Sequence, residues 1–124
     1  DTAIRHFVRD LRMRMPLSML IRRQFPTELE RRVRQLDYVE ETSISGVASH
    51  HLAARGDDVD FQIWIAQGEQ PMIQRVVLTY KLDRGAPQFW AEFSDWNFSP
   101  AVSASQFDFQ PPADAKRRTC RLVI

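Results

Sequence analysis

His50 and His51 stand side by side, and Asp57, Asp58 and Asp60 follow a few residues later. Imidazoles and carboxylates are metal ligands and acid–base groups, so this stretch is where chemistry would be sought first. The spacing argues against a shared metal. Neighbouring residues on a strand project to opposite faces, so the two imidazoles cannot chelate one ion. Zinc needs three or four converging ligands, and His6 is the only other histidine. The three aspartates sit at a tight turn, where Asp is favoured because its carboxylate accepts backbone amides. A calcium loop needs oxygen ligands spaced along a longer segment, and none is present. Asp95, in Ser94-Asp95-Trp96-Asn97, has no partner that would set its pKa for catalysis. No Gly-rich phosphate loop, nucleophile elbow or His-Glu metalloprotease motif occurs. The expectation is a protein that is not an enzyme, with no metal and no cofactor.

The elements around these residues change period once. Ile4, Phe7, Val8, Leu11 and Met15 recur at helical spacing, with Arg5, Arg9 and Arg12 elsewhere on the wheel. This predicts an amphipathic helix over 3–15 that stops before Pro16. Pro16 can open a second short helix. Thr27 and Glu30 form a capping-box pattern for a third, whose stripe is Leu29, Val33 and Leu36. From there the period is two. Strands are predicted over Tyr38–Ile44, Val47–Ala54, Val59–Ala66, Met72–Leu82 and Gln88–Phe98. Turns are expected at Ser45-Gly46, Gly56-Asp57, Gln67-Gly68 and Asp83–Pro87, and Phe107-Asp108-Phe109 reads as a last short strand. Short, Gly-marked links between successive strands imply an antiparallel meander. One face of it carries Phe61, Ile63 and Ile65 with Val76, Leu78 and Tyr80. The fifth strand, with Trp90, Trp96 and Phe98 against Phe89 and Phe93, is apolar on both faces and needs cover on both.

The 124 residues suit a single domain, 1–124, with a helical segment 1–35, an antiparallel sheet 36–110 and a basic tail 111–124. Residues 1–35 carry nine arginines against four acids, residues 36–110 four bases against eleven acids, and residues 111–124 four bases against one acid. A nucleic-acid surface would interleave bases with aromatics, whereas here the aromatics lie mostly in the acidic middle, so no nucleic-acid partner is expected. Cys120 is the only cysteine, which excludes a disulfide within the chain. No apolar run reaches the ~18 residues of a membrane span. The chain opens on a helix pattern at Asp1 without Met and without a visible signal peptide, which predicts a processed or trimmed chain.

The segments "GVASHHLAARGDDVDFQIWI", "GAPQFWAEFSDWN" and "FDFQPPADAKR" resemble an uncharacterised bacterial family of predicted periplasmic proteins. Its members look like relatives of the LolA/LolB-type lipoprotein carriers, and the resemblance runs over roughly residues 4–118. It implies an α+β fold: a curved antiparallel β-meander, an incomplete LolA/LolB-like half-barrel, with the N-terminal helices packed on its concave face. It also implies a periplasmic or envelope location. Family members usually place several strands before the first helix, so this chain would be the C-terminal part of a larger half-barrel. They often have Cys where Ser49 stands.

The function expected is non-enzymatic binding of a hydrophobic ligand, a lipid or lipoprotein acyl chain, between sheet and helices. Phe7, Leu11, Phe61, Ile63, Ile65, Val76, Leu78, Tyr80, Trp90 and Trp96 are the candidate ligand-binding residues. The alternative is a protein-interaction module that pairs through an open sheet edge, with a homodimer as its simplest form. An enzyme on the same scaffold ranks third.

Overall fold

Side chains from Val33 onward alternate between two faces, and the backbone follows that pattern into five strands. The computed structural model describes residues 5–10, 14–21 and 25–116. Its strands are β1 (Val33–Ile44), β2 (Val47–Gly56), β3 (Val59–Ala66), β4 (Ile73–Tyr80) and β5 (Gln88–Glu92). Each pairs antiparallel with the next, in the order β1-β2-β3-β4-β5, which makes an open meander. The β1–β2 hairpin turns on Ser45 and Gly46, both at positive φ (50° and 84°). Two such residues give the turn whose twist matches a two-residue hairpin. Register shifts interrupt β1 between Val33 and Gln35 and between Tyr38 and Glu40, and β3 between Trp64 and Ile65. Such irregularities bend a strand locally.

Helices are few among the described residues. His6–Asp10 is a π-type turn and Ser18–Ile21 a 3₁₀ turn; the single α-helix, α1, spans Phe25–Arg32. Leu11, with the rest of 11–13, lies outside the described residues. Helix α1 begins two residues before the Thr27 cap expected from sequence, with Pro26 in its first turn, where a proline costs no hydrogen bond. It also ends sooner. Val33 and Leu36 belong to β1, because Val33 pairs with Gly56 and Leu36 with Ala54, so the strand ladder overrides the helical spacing.

The C-terminal end departs from the sequence pattern as well. Strand β5 stops at Glu92, not Phe98. The last ladder pair is Arg75 with Glu92, although β4 runs on to Ile73, and the Phe93 amide still donates to the Gln74 carbonyl at 2.9 Å. Asp95 then takes φ 53° and the chain leaves the sheet. The Trp96 indole donates to the Ile73 carbonyl at 2.9 Å, and Phe93, Trp96 and Phe98 stack in sequence. Phe107-Asp108-Phe109 is not a strand. Phe107 closes a 3₁₀ turn, Ala104–Phe107, and both phenylalanines are exposed.

Cross-strand pairing assigns the faces. Phe61 faces Leu78, Ile63 faces Val76 and Val59 faces Tyr80, all on one side. On the other side a single transverse row crosses all five strands: Glu40 opposite His51, His51 opposite Trp64, Trp64 opposite Arg75, Arg75 opposite Glu92. The tightest core lies on this second side, where Ile44, Trp64 (8% exposed) and Val77 (1% exposed) cluster. The His51 ring stacks on Trp64 at 4.1 Å and 11°. The Arg75 guanidinium lies 5.4 Å from the Trp64 ring and 5.7 Å from Trp90, and Glu92 accepts from it at 2.5 and 2.9 Å. Trp64 is thus closed off by a stacked ring and a paired cation.

The β2–β3 hairpin is the second fixed point. A Cβ on Gly56 would lie 2.6 Å from the Val59 carbonyl oxygen and 3.1 Å from that of Arg32, so glycine is needed for the hairpin to close and eases the approach of the end of α1. Arg34 donates to both Asp57 carboxylate oxygens at 2.6–3.1 Å. Asp60 accepts from the Gly56 amide at 3.1 Å and from Lys81 at 2.9 Å, while Lys81 also donates to the Gly56 carbonyl. The hydrogen bonds from Arg34 hold the Asp57 carboxyl below its usual range and raise the guanidinium in turn.

Three outcomes follow from this packing. Trp64→Ala should lower stability by about 3–5 kcal/mol in chemical denaturation, as for other buried aromatics. Gly56→Ala should cost ~1–3 kcal/mol, the usual range for overpacking; an unchanged midpoint would show that the hairpin yields freely. A depressed carboxyl stabilises the fold above its unfolded pKa and loses that contribution as pH falls through its folded value. The stability difference between the native chain and Asp57→Asn should therefore be present at neutral pH and shrink as pH falls below the ordinary carboxylate range.

Candidate functional site

The face built from Phe61, Ile63, Val76, Leu78 and Tyr80 has no second sheet against it. Its cover is the N-terminal segment. Pro16, Leu17, Leu20 and Leu29 supply apolar groups opposite the sheet, and Val8 and Met15 close one side. Between cover and sheet lies an open cavity of about 1080 Å³, ample for a small molecule or an acyl chain. Arg14 pins the cover to the sheet: it forms an ion pair with Asp83, and its guanidinium sits 4.5 Å over the Tyr80 ring. Charged groups line the rest, with Arg5, Arg9, Arg31 and Arg32 among them.

Five of the ten expected binding residues meet in this cavity: Phe61, Ile63, Val76, Leu78 and Tyr80. Ile65 is on the same face, opposite His50, beyond the lining. Phe7 is exposed and outside the lining, and its neighbour Val8 takes the position instead. Leu11 falls outside the described residues. Trp90 is on the other face, opposite Val77. The register forces this: Phe89, not Trp90, pairs with Leu78. Trp96 has left the sheet and borders a smaller cavity of about 370 Å³ with Ile44, Met72 and Phe93.

His50 and His51 point to opposite faces, as their adjacency on a strand predicts. His50 Nδ1 lies 3.2 Å from the Tyr38 hydroxyl. Incomplete solvation, then the Glu41 and Glu40 carboxylates, raise the Tyr38 pKa and keep the phenol protonated. His51 Nε2 lies 2.8 Å from Gln62 Oε1. Its Nδ1 is buried without a hydrogen bond, 3.9 Å from Glu40 Oε1. Ser49 is fully buried and donates to the Val47 carbonyl at 3.0 Å. Asp57 and Asp60 are committed to Arg34, Lys81 and the Gly56 amide. Among the described residues no group of three His, Cys, Asp or Glu side chains could hold a metal ion.

Two features escaped sequence reasoning. Alternation along β3 puts Trp64 on the same face as Asp60 and Gln62, yet it is buried in the core. The signal was one strand away, in the apolar Val77 and Trp90 on the same side. Arg5 and Arg9 stand off the apolar stripe of the helical repeat, and only the tertiary arrangement brings them, with Arg31 and Arg32, beside apolar groups.

Among the described residues no helix is long and apolar enough to cross a membrane. No curated protein and no solved structure matches the chain. One family model does, over residues 1–119, and its description is "Predicted periplasmic protein". That description places its members in the periplasm. The chain therefore belongs to the predicted periplasmic protein family DUF2092.

Proposed function

We propose that this chain is a non-enzymatic periplasmic binding protein that holds a hydrophobic ligand, a lipid or an acyl chain, between its sheet and its N-terminal segment. The observation that carries this reading is the cavity of about 1080 Å³ between an apolar sheet face and an apolar cover pinned by Arg14. Each methylene transferred from water to such a surface contributes about 0.8 kcal/mol, so an acyl chain of moderate length would supply useful affinity. The likeness to LolA/LolB-type carriers, which would make the meander part of an incomplete half-barrel, supports the same reading.

Uptake of a fluorescent fatty-acid probe tests it. Ile63→Glu places a carboxylate on the cavity face and should reduce uptake at least tenfold, about the effect of 1.4 kcal/mol. Trp90→Ser, on the opposite face, should leave uptake unchanged. The reverse pattern would refute the cavity as the binding site.

A second reading rests on β1. This twelve-residue strand pairs, among the described residues, only with β2, and Leu36 and Tyr38 are 60% and 55% exposed. An unpaired edge recruits another strand, and a second copy of the chain is the simplest partner. The basic N-terminal segment and the acidic sheet of two copies would attract, so the dimer should weaken as salt screens the charges. Sedimentation at micromolar concentration across a salt series should show that trend. A monomer at every salt concentration would eliminate the dimer.

A further inference from the structure

We infer that the ligand is an anionic amphiphile, whose charged head is held by the arginines lining the cavity while its chain lies on Phe61, Ile63, Val76 and Leu78; this rests on the hydrophobic-ligand reading above. The argument begins with which lining charges are already engaged. Arg14 is paired with Asp83, and Asp57 is held by Arg34. Four guanidiniums remain, from Arg5, Arg9, Arg31 and Arg32, beside the lining carboxylates of Glu28, which is itself engaged, and Asp58. Among the described residues no ion pair joins any of these four arginines to a carboxylate. The lining is therefore net positive beside an apolar wall.

Part of this has a structural explanation. Arg31 and Arg32 lie in the last turn of α1, where the helix dipole favours cations. Arg5 and Arg9 have no such reason. They stand four residues apart and both line the cavity, from a segment whose Val8 touches the same space. A cleft with apolar walls concentrates the field of charges at its rim and raises the local concentration of counter-ions. A guanidinium presents a planar fork of donors that fits a carboxylate or phosphate in bidentate fashion. Apolar floor and cationic rim together match a molecule with a hydrocarbon tail and an oxyanion head. A neutral tail of the same length would use only the floor.

Binding of dodecanoate, dodecyl phosphate and dodecanol, below their aggregation limits and at low salt, separates the contributions. Both anions should bind about tenfold or more tightly than dodecanol, the scale of one charge-assisted hydrogen bond. Tighter binding of the carboxylate would point to a free fatty acid, and tighter binding of the phosphate to a phospholipid head. The double variant Arg5→Gln/Arg9→Gln should abolish most of that preference and leave dodecanol binding unchanged. Circular dichroism confirms its fold, and Arg31→Gln/Arg32→Gln serves as a second variant should the first lose structure. Equal affinity for all three probes would overturn the anionic head while leaving the hydrophobic-ligand reading intact. Failure of all three to bind would overturn both. An anion preference that survives in both double variants would show that these arginines are not the head site.

Discussion

Trp64 is the residue on which the rest of the structure depends. It sits at the middle of a row that crosses every strand, with His51 stacked on it and Arg75 beside it, and with Glu40 and Glu92 at the two ends. A large indole on a sheet must be shielded from water, and here the shield comes from side chains of the same face. Arg75 can serve because Glu92 holds its guanidinium. A cation paired in this way contributes an apolar stem as well as a charge. A slip of β3 by one residue against its neighbours would send Trp64 to the opposite face, so this row also fixes the register at the middle of the sheet.

Once that register is fixed, the other face has no freedom. Phe61, Ile63, Val76 and Leu78 must lie together, and the only cover the described residues provide is a run of short turns and one eight-residue helix. Such a cover has little side-chain area to lay against the sheet. It is held at one side by Arg14 on Asp83 and Tyr80, and at another by the close passage of the Arg32 carbonyl over Gly56. The two anchors leave a cavity between cover and sheet, the feature on which the proposed ligand binding rests. On the opposite face Val77 is fully enclosed and Trp64 nearly so, and on this face Val76 and Leu78 are buried as deeply as Trp64.

Much of this was legible in the sequence, and the failures have physical causes. The five strands, their order and the turn at Ser45-Gly46 followed from period-two spacing and glycine placement. The opposed histidines followed from adjacency alone. The boundary between α1 and β1 did not, because Leu29, Val33 and Leu36 satisfy a helical repeat; pairing of Val33 with Gly56 decides the matter and is invisible in local spacing. The end of β5 was misplaced for a related reason. Aromatic residues continue past Glu92, but Asp95 takes a positive φ and turns the chain away, a backbone choice the aromatic spacing does not reveal. Trp90 changed sides because alternation inside one strand cannot say which of its faces meets Leu78. Of the candidate site, the sheet floor could be read from sequence. The arginines that line it could not, since their place depends on how the N-terminal segment lies across the sheet.

The central claim is that the two faces of one sheet do different work: the Trp64 face is core, and the Phe61 face binds. Isotope-edited NMR of the chain with bound dodecanoate tests it most directly. Nuclear Overhauser contacts should run from the ligand chain to the methyl groups of Ile63, Val76 and Leu78, with the Trp64 indole and Val77 methyl signals undisturbed. Contacts to Trp64, Trp90 or Val77, with the Ile63 and Leu78 methyls silent, would contradict the account.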